Sequence, residues 1–455
     1  MSGLVATGAI SGAGVAHADD GATEQSGASA TLAGLETYDS AVIHEGGKDE
    51  TVSAGLFRMT VEGGGTLQTY CVDLRNPTQP DAKYRETSWS GTTLHDNANA
   101  GRVRWILQNS YPQVNDLAAL ARKAHAGSLT EQEAAAGTQV AIWRYSDKAD
   151  VDAVSPAAEK LADYLERSAR DLTEPAASLT LTPQAVSGRP GERVGPVTVR
   201  TNAESVSVMP PTEAAARGVE LVDEKGEPVT TARNGSRLYF DVPKGDEAGS
   251  TELTVQASTT VPVGRAFTSD TRSQTQILAG SSESTVSATA TVAWAGEGAA
   301  PALSARENCA KGGVDITAVN SGDAPYAFTL MGARHTIPAG TTRTVTIPLQ
   351  EDQAYDFRIK GPHGTEKRIR GVLDCVTTSA AGTAADGGLT TQTGKQPMPA
   401  SVGGTGAGNG TDLAETGSSN ATPIIAGIAV LLVLVGGGSI LLTRKKKVPS
   451  EGDDE

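Results

Sequence analysis

The chain has 455 residues, enough for about three ordinary domains. Gly contributes 52 residues, aromatics only 4% and AVILMFWYC 38%, which is lean for one large enzyme core and fits several small β-domains joined by linkers. The net charge of −15 argues against a nucleic-acid partner, because neutralising phosphates needs basic patches.

Residues 1–18 are uncharged, small and apolar, and finish in Ala16-His17-Ala18 ahead of Asp19-Asp20. Ala16 and Ala18 make a small-x-small site of the kind a signal peptidase cuts, although the basic start of a signal peptide is missing. Residues 19–33 read as a flexible linker.

Residues 34–174 read as a mixed α+β head. The runs Leu56 to Val61 and Thr66 to Leu74 flank Glu62-Gly63-Gly64-Gly65 and predict a hairpin. Alternation along the second run puts Cys71 on one face with Leu67 and Thr69, and Tyr70 and Val72 on the other. Val103, Ile106 and Leu107 recur at helical spacing within 102–109. Thr130 with Glu133 makes a capping box that opens a helix through Tyr145, on which Ala136, Val140 and Trp143 form an inward stripe beside Gln139. Ser155-Pro156 opens another helix, with Leu161, Tyr164 and Leu165 on one face.

From 176 to 297 the pattern turns to β. The runs SLTLTP, VGPVTVRT, SRLYFDVP, TELTVQAST and STVSATATVAWA alternate apolar residues with Thr and Ser between Gly, Pro and Asn turns, as in a β-sandwich spacer. A second Ig-like β-domain spans 301–376, with Cys309 at its start and Cys375 at its end. In an oxidising compartment these two are expected to pair, closing a loop worth about 4 kcal/mol in the chain-entropy model. Lys225, Lys244, Asn202 and Asn234 are the raw material for an internal isopeptide bond, but their spacing does not favour one.

Residues 377–412 are rich in Gly, Thr and Ala and read as a disordered stalk. Leu413-Ala414-Glu415-Thr416-Gly417 follows, then the uncharged run 423–442, which as a helix would reach about 30 Å, the thickness of a membrane core. Arg444 and Lys445 to Lys447 open a cytoplasmic tail over 444–455. Pentapeptide, apolar span and basic tail in this order resemble the cell-wall sorting signal of Gram-positive surface proteins, and Ala414 resembles the actinobacterial LAxTG form. The resemblance implies that a sortase cuts between Thr416 and Gly417 and joins Thr416 to peptidoglycan. The chain would touch the membrane only before sorting, and end secreted and wall-attached.

With Cys309 and Cys375 paired, Cys71 is left over in Tyr70-Cys71-Val72-Asp73. Thr138-Gln139-Val140-Ala141-Ile142-Trp143 matches the TQxA signature of Gram-positive surface thioester domains, and the Tyr70-to-Asp73 run resembles their cysteine segment. The resemblance covers 34–174. It implies an intramolecular thioester between the Cys71 sulfur and the Gln139 acyl group, with Tyr70, Asp73, Thr138, Ala141 and Trp143 around it. An amine on a surface target, such as a protein lysine, would attack that thioester and form an amide cross-link. Such a protein is consumed in its reaction, so it is an adhesin and not a turnover enzyme. Two other readings stand beside it. One is a hydrolase or transglutaminase using Cys71 with His44, His95 or His125 as base. The other is a passive surface protein. No HExxH, EF-hand loop, CxxC or P-loop occurs, so no metal or other cofactor is expected.

Overall fold

The computed structural model describes residues 26–209, 212–362 and 365–376, all within one compact unit. The expected signal peptide, stalk, LAETG pentapeptide, apolar span and tail lie outside these residues. Among the described residues no helix is long and apolar enough to cross a membrane. The chain is β-rich, with four helices of eight or more residues confined to the head.

The head is built on a ring of antiparallel strands. Ser29–Glu45 pairs with Lys48–Val61, which pairs with Thr66–Cys71 across a turn whose Gly63, Gly64 and Gly65 all take positive φ. Thr66–Cys71 then pairs with Gln276–Ser281, that strand with Ala266–Ser269, and Ala266–Ser269 with Lys83–Thr87. Lys83–Thr87 returns to Ser29–Thr31 and closes a six-stranded barrel. Two register shifts in the first strand, near Gly34 and Glu36, bend it so that its far end leaves the ring and carries Val151–Ala153 at Ala41–Ile43.

Helices α1 (Ala100–Asn109), α2 (Leu117–Ala124), α3 (Glu131–Ser146) and α4 (Pro156–Ser168) cover one outer face. The Thr130–Glu133 capping box forms, and Glu133 Oε1 also accepts from the hydroxyl of Ser155, the N-cap of α4. One carboxylate thus joins two helix starts. The expected stripe on α3 is too narrow: every residue from Ala134 to Trp143 is buried, because strands press on one side and α4 on the other. At Gly137 an added Cβ would meet the Ala158 carbonyl at 2.4 Å, so only glycine permits that helix contact.

The β region after the head differs from the sequence reading in two ways. Residues 26–27 and 29–33, expected to be flexible linker, lie in strands of the sandwich and the barrel. More consequentially, Ala266–Ser269 and Gln276–Ser281, inside the expected spacer, are barrel strands of the head. The rest of 176–297 forms two facing sheets. One is ordered Ser26–Gly27, Glu283–Trp294, Gly249–Thr260, Val206–Met209, Thr231–Ala232, with Ala185–Gly188 parallel to Glu283–Trp294; the other Glu220–Val222, Arg237–Asp241, Arg193–Thr201, Leu179–Thr182. Barrel interior and sandwich share one hydrophobic cluster running from Phe57, Leu67 and Leu278 to Val197, Phe240 and Trp294. Head and spacer therefore share a core.

A buried ion network pins this junction. Arg265 donates to Glu86 at 2.9 Å and to Glu174 at 2.6 Å, while Glu86 also accepts the Ser178 and Ala28 backbone N–H groups. Arg265→Ala leaves the Glu86 charge buried and unpaired, and is expected to cost about 3–5 kcal/mol in denaturant unfolding. A loss under about 1 kcal/mol would show the network to be dispensable.

The segment 301–376 holds a three-stranded sheet (Pro301–Asn308, Gly313–Asn320, Thr341–Pro348) and two hairpins (Tyr326–Leu330 with Ala333–Ile337, Ala354–Lys360 with Glu366–Val372). They pack around Ile316, Phe328, Ile337 and Ile359. Cys309 and Cys375 form a disulfide, with Cα atoms 5.3 Å apart. Asn202 and Asn234 spend their amides on Thr260 and Thr201 backbone, and neither meets a lysine there.

Candidate functional site

Cys71 ends its strand, opposite Gln276 of the inserted pair. On the other side, pairing with Lys48–Val61 runs from Thr60↔Thr66 to Phe57↔Thr69 and stops short of Cys71. The Cys71 backbone therefore lacks a strand neighbour on that side. Gln139, projecting from α3, fills the place: its Oε1 accepts the Cys71 N–H at 3.0 Å and its Nε2 donates to the Cys71 carbonyl at 2.8 Å. A buried carboxamide is fully used as a surrogate strand edge, which fixes its plane beside the residue that carries the thiol. Both residues have no exposed surface.

The thiol sits in the bend after the strand. Sγ donates to the Asp73 carbonyl at 3.1 Å and accepts the Asp73 N–H at 3.3 Å. Burial pushes the Cys71 thiol well up, and the Asp147 and Asp73 carboxylates push it further; the Asp73 backbone and the Trp143 indole N–H pull the other way. That indole N–H makes no formed hydrogen bond, so it faces the sulfur without being satisfied by it. The unmodified cysteine is thus a neutral, shielded thiol rather than a primed thiolate.

The surrounding residues fall into place around this pair. Tyr70 is buried on the helix side and donates its hydroxyl to the Tyr111 carbonyl at 2.8 Å. Thr138 donates to the Ala134 carbonyl within α3 at 2.7 Å, and Ala141 and Trp143 are fully buried. Asp73 is fully buried; burial, then the nearby Asp374 and Asp147 charges, push its carboxyl well up. Two of the three histidines of the head have side-chain partners other than the thiol. His44 pairs with Asp49, His95 contacts the Thr92 carbonyl and Asp96, and His125 ends α2 at positive φ.

Several residues here carry no signal in the sequence. Asp147, at the end of α3, accepts the Leu74 N–H at 2.8 Å and so clasps the chain after the thiol to the helix carrying Gln139; burial pushes its carboxyl up to about 7. Gln276 accepts from the Thr69 hydroxyl at 2.9 Å and donates to Gln274, whose amide reaches the Asn76 carbonyl at 2.8 Å. This chain of amides ties the inserted strand to the cysteine strand inside the barrel.

Residues 68–171, which include both Cys71 and Gln139, match a family described as Thioester domain, and residues 299–372 match one described as the bacterial phospholipase C C-terminal domain. Among solved structures, the Bacillus anthracis TIE protein is 17% identical with a TM-score of 0.28, over 70% of this chain and 64% of that one. The thioester domain of the Enterococcus faecium TIE86 protein is 14% identical with a TM-score of 0.27, over 58% of this chain and 94% of that one. The E. coli chaperone DraB is 13% identical with a TM-score of 0.16, over 43% and 98%. The chain thus spans less than two thirds of the B. anthracis protein. No curated protein matches it.

Proposed function

We propose that this chain is a surface adhesin whose Cys71 and Gln139 form an internal thioester that a target amine opens to give a covalent amide link. The observation that carries this reading is the reciprocal pair of hydrogen bonds that holds the Gln139 carboxamide on the Cys71 backbone, inside a segment matching the thioester-domain family.

The chemistry follows from that placement. Cys71 sulfur attacks Gln139 Cδ; a C–S bond forms, the C–N bond breaks, and the thiol proton leaves with the departing ammonia. Oε1 takes up negative charge as the carbon becomes tetrahedral, and the Cys71 N–H already points at it, as an oxyanion donor would. The thioester then has a better leaving group than any amide. An incoming primary amine forms a C–N bond at Cδ, the C–S bond breaks, and the amine proton passes to sulfur. The elevated affinity of Cys71 for a proton favours that release as a neutral thiol. Complete burial of both residues slows hydrolysis, so the covering must open for a target to enter.

In this reading the protein is consumed once and does not turn over. Export, sortase cleavage at Thr416, attachment to peptidoglycan and the actinobacterial form of the signal complete the proposal and rest on the order of motifs at the chain end. The neutral thiol and the engagement of His44 and His95 elsewhere weigh against a cysteine hydrolase.

Intact-mass measurement of the freshly purified protein tests the proposal. The expected mass is lower than the calculated one by one ammonia, beyond the loss of two hydrogens to the disulfide. No Cys71 thiol should be titratable after rapid denaturation, which removes the shielding of burial. A mass without that loss, with one free thiol, would sink it.

A further inference from the structure

Trp143 stands one helical turn after Gln139 on α3, so the two side chains leave the helix on the same face. Its carbonyl accepts the Asp147 N–H at 3.0 Å and the Ala149 N–H at 3.3 Å, which fixes its backbone at the helix end. The rings lie in the helix-side core without exposed surface, and the indole N–H faces Cys71 on the barrel side. That N–H has no hydrogen-bond partner. The indoles of Trp89 and Trp294, by contrast, donate to the Gly264 carbonyl at 2.9 Å and to Asp246 at 3.0 Å. A buried donor left unsatisfied is costly, and a Phe ring would fill much of the same space without that cost. The orphan N–H calls for a partner that the resting thiol does not supply.

Negative charge on the sulfur is opposed from most sides. Burial and the Asp147 and Asp73 carboxylates disfavour it, while the Asp73 backbone and the Trp143 indole favour it. The neutral thiol is a weak acceptor. It already takes the Asp73 N–H at 3.3 Å and gives its own proton to the Asp73 carbonyl at 3.1 Å. Opening of the thioester changes this balance. An amine forms the C–N bond at Gln139 Cδ, the C–S bond breaks, and its electron pair stays on sulfur. Until the amine proton arrives, the sulfur is charged, has no proton to give, and is a strong acceptor.

We propose that Trp143 is a catalytic residue for opening the thioester, its indole N–H donating to the departing Cys71 sulfur until the amine proton reaches it. The indole proton is not transferred. Its hydrogen bond forms while the sulfur is charged, so it lowers the barrier without stabilising the resting thioester. The same donor acts in the reverse sense when Cys71 attacks the Gln139 amide. This role presupposes the Cys71–Gln139 thioester and adds to it a group that receives the leaving charge.

Methylamine opening of the thioester in the full chain, followed by intact mass against time, tests the role. Trp143→Phe should open about ten- to a hundredfold more slowly, the effect of losing one hydrogen bond to a charged group. A ring that only shields predicts the opposite sign, because a smaller ring admits amine more readily. Opening as fast as in the parent, or faster, overturns the role. The second arm needs no variant: the chain is produced with its tryptophans replaced by singly or doubly fluorinated tryptophan, whose N–H is progressively more acidic. Opening should quicken in the order of that acidity, which a purely structural ring would not produce. A rate independent of fluorination overturns the donor role even where Trp143→Phe is slow or unfolded. The starting mass separates the two levels. Without the ammonia loss in the parent the thioester itself fails and the role of Trp143 falls with it; with that loss and a flat series, only the donor fails.

Discussion

A chain ending at residue 174 is expected not to yield a folded head. The barrel closes only through Ala266–Ser269 and Gln276–Ser281, and removing them opens Thr66–Cys71 and Lys83–Thr87 as free edges. The loss includes the buried side chains of Phe267, Ile277 and Leu278, worth roughly 5–9 kcal/mol at about 1.5–3 kcal/mol each. A domain's whole net stability is about 5–15 kcal/mol, so the deficit is of the same size. The Glu86 carboxylate would also lose Arg265, and Cys71 would lose the strand residue it pairs with, Gln276. Residues 26–174 should therefore give an aggregating or molten product with no cooperative melt, whereas 26–297 should melt cooperatively. A sharp thermal transition in the shorter chain would show that the head closes by another route.

The second large effect concerns capture. The unaltered protein, treated with methylamine, should gain one methylamine relative to its thioester mass and release one thiol. Cys71→Ala should abolish the adduct completely, because no acyl–sulfur bond exists to be opened. Gln139→Asn is the finer test. It keeps the carboxamide but withdraws it by one methylene, about 1.5 Å, from the backbone groups that hold it, and misplacement on this scale costs about a hundredfold or more in rate. Neither variant should retain an amine-bearing protein through boiling in denaturant. If Cys71→Ala still formed such a cross-link, the reactive group would have to be elsewhere. Retained thermal stability in Cys71→Ala would separate loss of chemistry from loss of fold.

Much of the site was legible because its parts are local. The glycine turn, the Thr130–Glu133 box and the Ser155-Pro156 start are each written within a few residues, and each formed at its expected position. Alternation placed Cys71 with Leu67 and away from Tyr70, and the two faces do join different clusters. Export chemistry paired Cys309 with Cys375, and that disulfide is present. The odd cysteine and the TQVAIW helix pointed to Gln139, whose amide does lie on the Cys71 backbone.

What the sequence by itself determined, then, was element type, face and residue chemistry, all set by propensities and periodicities that act over one or two turns of chain. The tertiary structure alone decided which distant segments share a sheet. Gln276 opposes Cys71 across 205 positions, and Asp374 meets Asn76 across 298. The entropy of closing a loop grows only with the logarithm of its length, so separation along the chain carries almost no information about pairing. The choice fell to the free edges of the barrel and the apolar area that closing it buries. Those quantities belong to the whole fold, and no window of sequence contains them.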